Sequence, residues 1–114
     1  MSRDTKRIRH LNDRLRQDFL YGVHGDNSVV VTSGVIAMGD PFVKAAMRAV
    51  ANYATFTPEC DPWDEHNFGA MPIGPKTVLF KIDYFDLDMR FAAENPAVAS
   101  QTKRVLTIML QDEY

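Results

Sequence analysis

Cysteine occurs once, as Cys60, so the chain can form no internal disulfide and has no thiolate pair for a zinc knuckle, which fits a reducing compartment. Long apolar runs are missing too. No stretch reaches transmembrane length and no basic-then-apolar leader opens the chain, so no membrane partner and a cytoplasmic location are expected. A large excess of one sign of charge is missing: a formal net charge of -2 argues against bulk binding to nucleic acid. There is no phosphate-cradling G-x-x-x-x-G-K loop, no G-x-G-x-x-G after a strand, no H-E-x-x-H, no H-x-E with a paired P-C-x-x-C and no G-x-S-x-G. Internal repeats and low-complexity segments are absent as well.

What is present is an ordinary globular composition, 114 residues with 46% hydrophobic and 25% charged. A chain of this size folds as one domain, 1-114, and buries roughly 65% of the surface it exposes unfolded. Its charges are polarised. Residues 1–16 carry Arg3, Lys6, Arg7, Arg9, Arg14 and Arg16 against only Asp4 and Asp13. The stretch 59–94 carries Glu59, Asp61, Asp64, Glu65, Asp83, Asp86, Asp88 and Glu94 against Lys76, Lys81 and Arg90.

Ile8, Leu11, Leu15 and Phe19 recur at helical spacing and predict an amphipathic first helix over about 4–19. On its flank Arg3, Arg7, His10 and Arg14 fall within one arc, either a ridge for phosphates or acids or a solvated face paired to the protein's own acidic stretch. The Gly-Asp-Asn turn at 22–27 ends that helix, and Ser28–Thr32 reads as a central strand, continuing or bending at Gly34 through Met38. Asp40-Pro41 starts a second helix running to about Tyr53, with Asp40 as its cap and Val43, Ala46, Met47, Val50 and Ala54 as its buried stripe. An extended segment from Glu65 to Ile73, a Gly74-Pro75 turn and alternation from Lys76 to Phe85 form a hairpin whose Val78, Phe80, Ile82 and Tyr84 face the core. A last strand, Lys103–Leu110, is apolar enough to lie inside the sheet. The expected fold is α+β, a mostly antiparallel sheet of four to five strands with two helices on one face.

Chemistry would concentrate at 61–69, which holds the lone Trp63, a histidine and several acids, and at 81–86. Glu65, His66, Asp83 and Asp86, with Asp61 and Asp64 nearby, are donors suited to a divalent ion and an acid/base pair. Their spacing gives weak support, because adjacent strand residues such as Glu65 and His66 face opposite sides. The alternative has these acids capping turns and pairing with arginines of the first helix. Cys60 makes a poor nucleophile between Glu59 and Asp61, since negative neighbours suppress a thiolate. Tyr84 and Phe85 lie among acids, a poor stacking platform for nucleic acid.

The blocks Arg7–Asp13, Thr32–Val35, Asp61-Pro62 with Glu65–Gly69, Lys81–Asp86 and Arg104–Leu110 resemble, in order, an uncharacterised domain family of small alphaproteobacterial proteins often carried on plasmids and phages. Where that pattern has Asp, Tyr and a small residue, this chain has Asn67, Phe85 and Gln111, and the loss of an acid at 67 counts against a metal site there. The resemblance brings no catalytic residue, metal or cofactor. Carriage on mobile elements implies a non-enzymatic protein-interaction module, with inhibition of a host defence complex such as CRISPR or restriction as its form. The expected protein-binding residues are Trp63, Phe68 and Tyr84, ringed by Asp61, Asp64 and Asp86. The alternative is a small metal-dependent hydrolase or nuclease using Glu65, His66, Asp83 and Asp86. A third reading is a nucleic-acid accessory working through Arg3, Arg7 and Arg14.

Overall fold

A computed structural model describes residues 4–114; the expectation placed on Arg3 lies outside them. Among the described residues the elements are α1 (Thr5–Asp18), β1 (Ser28–Val31), α2 (Ser33–Ile36), α3 (Asp40–Asn52), β2 (Phe68–Ile73), β3 (Lys76–Phe85) and β4 (Lys103–Leu110), with single 3-10 turns at 19–21, 99–101 and 111–113. The four strands form one sheet in the order β1-β4-β3-β2. Pairing is antiparallel for β2 with β3 and for β3 with β4, and parallel for β1 with β4. The fold is therefore α+β with a mostly antiparallel sheet.

The periodicities explain the layers. Val78, Phe80 and Ile82 of β3 alternate inward and meet Leu106, Ile108 and Leu110 of β4, while α1 contributes Leu15 and α3 contributes Ala46 and Val50 to the same core. Ile8 is also buried on α1. Asp4 caps α1 through its carboxylate, which accepts the Arg7 N–H at 3.1 Å. The β2–β3 hairpin turns at Gly74, whose φ of 57° a side chain would resist. Gly69 of β2 is needed for a different reason, since a Cβ there would collide with the rings of Phe80 and Tyr53.

Four expectations are corrected. Residues 33–36 are a helical turn rather than a continued strand, because the Glu113 carboxylate accepts the Gly34 N–H (3.1 Å) and the Thr32 hydroxyl (2.7 Å) at the point where the chain bends. β1 lies at the sheet edge, not its centre: its one neighbour is β4, Val29 and Val31 pack against the core, and Val30 is 44% exposed. Gly39, not Asp40, precedes the first turn of α3, and no side chain caps it. Ala54 falls beyond the end of α3 and is exposed, while Ala51 takes a buried place instead.

Candidate functional site

The loop 61–67, between α3 and β2, is fixed by its own Asp61, by α1 and by Phe56. Asp61 holds it from within: Oδ1 accepts the Glu65 N–H at 3.0 Å and Oδ2 accepts the His66 N–H at 3.1 Å, so this 5% exposed carboxylate serves the backbone. The helix α1 holds it from below. Arg9 Nη1 donates to the Asp64 carbonyl (3.0 Å) and carboxylate (2.7 Å), and Asn12 Nδ2 donates to the Glu65 carbonyl at 2.9 Å. His66 stacks on Phe56, with ring centroids 3.9 Å apart, and its Nδ1 sits 2.9 Å from Asp13 Oδ1. A carboxylate only accepts, so that nitrogen carries the proton. Asp64 and His66 adopt φ of 56° and 58°, the left-handed region that costs a side-chain-bearing residue roughly 1–2 kcal/mol. These bonds keep the loop there.

Beneath the loop lies a buried polar network. Asn12 is fully buried, and its Oδ1 accepts the Arg104 Nε–H at 2.7 Å while its Nδ2 also donates to the Tyr84 hydroxyl at 2.8 Å. The Tyr84 hydroxyl donates in turn to Glu65 Oε1 at 2.8 Å. Arg104, 2% exposed, also donates to the Pro96 carbonyl and places its guanidinium over the Tyr84 ring. Burial is the main reason that the Tyr84 phenol is pushed well above its usual range, with Asn12 opposing and Glu65 adding to the rise. Arg16 bridges the neighbouring layer, donating to the Val50 and Tyr53 carbonyls (3.0 Å each) and pairing with Asp13 at 2.8 Å under the rings of Phe56 and Phe80.

The sequence-expected residues separate into three places. Trp63 and Asp64 stand outward on the loop, Trp63 at 72% exposed. Asp61, Glu65 and the Tyr84 hydroxyl point into the hydrogen-bond system, and Phe68 packs edge-on against Tyr114 at 5.7 Å. Asp83 lies on the sheet face opposite the helices, 3.1 Å from Lys81, and Asp86 accepts the Arg90 N–H in the turn after β3. Glu65, His66, Asp83 and Asp86 thus do not gather at one point. Glu65 and His66 precede the strand rather than belonging to it, so the face argument made for them does not apply. A different trio, Asp61, Asp64 and His66, brings one ligand atom each within 4.8 Å of the others, the set among the described residues that could hold a metal.

The residues missed at the sequence level are Asn12, Arg16 and Arg104. Each sits in phase with a buried stripe: Asn12 and Arg16 beside Ile8 and Leu15, and Arg104 in step with Leu106 and Ile108. A polar residue in a core position is the signal that could have found them.

No curated protein and no solved structure matches the chain. Residues 31–113 match the family described as a protein of unknown function, DUF3768, a span from the end of β1 through the turn after β4 that leaves α1 outside, and the chain belongs to that family.

Proposed function

We propose that the chain is a non-enzymatic protein-interaction module whose contact point is the loop 61–67 with Trp63 as its anchor. One observation carries this reading: the loop is tied to α1, Tyr84 and its own backbone, yet it presents its indole 72% exposed. A rigid loop loses little entropy on docking, and a tryptophan is the side chain that most often concentrates binding energy at an interface. The acids once considered for catalysis support it too, since Asp61 is occupied by backbone N–H groups and Glu65 by Tyr84. Asp64 and Asp86 would tune the rate of association rather than its strength. The mobile-element setting implied by the sequence resemblance makes a host defence complex the partner class we favour.

The test is a pull-down from host lysate at low and high salt, with divalent metal measured on the same preparation. Wild type should retain a stoichiometric protein partner. Trp63→Ala should lose it, at a cost of about 2 kcal/mol or more, while its melting temperature stays close to that of wild type because a side chain 72% exposed buries little in the fold. Charge reversal at Asp64 and Asp86 should weaken capture most at low salt. Capture unchanged by all three substitutions would sink this reading. A preparation with no partner and one tightly held divalent ion would favour metal-dependent hydrolysis, and the Asp61, Asp64 and His66 trio is the observation that would then carry it.

A further inference from the structure

The helix α1 shows two different faces. Arg9, Asn12, Asp13 and Arg16 turn toward the loop and core, whereas Arg7, His10 and Arg14 line a cleft of about 270 Å³ on another side. Across that cleft stand His24 and Asn27, from the turn that follows the helix. Leu11, Leu15 and Val23 give it an apolar patch.

The positive charge there is not spent internally. Among the described residues, the side chains of Arg7, His10 and His24 have no hydrogen-bond or ion-pair partner, and Arg14 reaches Asp18 only at 3.7 Å. The acidic stretch takes Arg9 instead, through Asp64. Asn27 Oδ1 accepts the Arg104 N–H at 2.8 Å, which leaves the Asn27 amide NH2 as a donor at the cleft wall. The field reaches inward as well: burial chiefly lowers the Arg104 pKa, and the charge of Arg7 adds to that lowering.

Guanidinium groups present forked donors that match the several oxygens of a phosphate, and the His24 imidazole on the facing wall closes the contact. Arg7 and Arg14 are two turns apart, about 10 Å along the axis, longer than one phosphate group. A long polyanion fits less well, because Asp18 closes one end of the cleft and the whole chain is negative. We infer that this cleft binds a small molecule carrying two or more phosphates, of the nucleoside diphosphate or triphosphate class. Its phosphates lie among Arg7, His10, Arg14 and His24, and its organic part rests on Leu11 and Val23 over the buried Leu15. This site is independent of the Trp63 loop.

The experiment is titration of the full chain with ADP and, separately, inorganic pyrophosphate, followed by amide chemical shifts. Both should bind with dissociation constants below about 1 mM, ADP more tightly because the apolar patch receives its organic part, with shifts centred on 7–18 and 23–27. Arg7→Gln with Arg14→Gln should weaken ADP about tenfold or more, and His24→Gln should weaken it several-fold. All three side chains are exposed, so the variants should melt like wild type. Absence of saturable binding overturns the inference, as do shifts confined to other regions or an unchanged affinity in the Arg7, Arg14 double variant. A single-stranded DNA of about 12 nucleotides binding more tightly than ADP also overturns it, in favour of a nucleic-acid surface.

Discussion

Arg104 shows how much one side chain can organise. Its guanidinium has left water for a place beside Asn12, the Pro96 carbonyl and the Tyr84 ring, and a buried charge is tolerated only when its donors are used. Arg104→Ala would leave Asn12 Oδ1 and the Pro96 carbonyl without donors and should cost about 3 kcal/mol, read as a lower denaturant midpoint. Arg104→Lys should recover little of it, since an ammonium cannot reproduce the forked geometry. The phase of β4 that buries Leu106 and Ile108 also carries position 104, a sign that was there to read, but nothing local marks its partners. Asn12 and Pro96 lie far away in sequence or in an irregular segment, and no local pattern links them to a strand residue.

At the scale of elements, the hairpin and the inward face of β3 followed from turn residues and alternation, and the central place of β4 from its apolar content, all local signals. The helical turn α2 did not, because its cause is remote. Glu113, 79 residues beyond Gly34, accepts hydrogen bonds from the Thr32 hydroxyl, Gly34 N–H and Leu110 N–H and so clamps α2 to the end of β4. Those bonds, Thr32's first, hold the Glu113 carboxyl below its usual range. A depressed folded-state pKa adds stability that is present above the ordinary glutamate range and lost as pH falls through the folded value. Wild type should therefore exceed Glu113→Gln in thermal stability at pH 7, and the gap should close as the pH is lowered below about 4. A gap that persists unchanged into acid would show that the clamp acts through packing and not charge. The edge position of β1 was hidden for a similar reason, since its parallel partner comes 77 positions later, Ser28 opposite Val105.

Across the whole molecule, α1 serves two surfaces at once, the Trp63 loop on one of its faces and the basic cleft on another, and neither was readable as a surface from spacing alone. The wheel placed Arg7, His10 and Arg14 together, but only the fold brings His24 across from them. Likewise the acids expected to ring the binding residues looked equivalent in sequence, and folding sorted them into a buried clamp at Asp61, an outward group at Asp64 and a turn cap at Asp86. The strand order carries a further consequence, for the timing of folding. Both β1 and β3 pair with β4, the last strand in chain order, so no sheet containing β1 can close until β4 has left the ribosome. Until then the apolar faces of α1, α3 and the hairpin lack the strand that completes their shared core, so the emerging chain carries apolar surface with no partner strand.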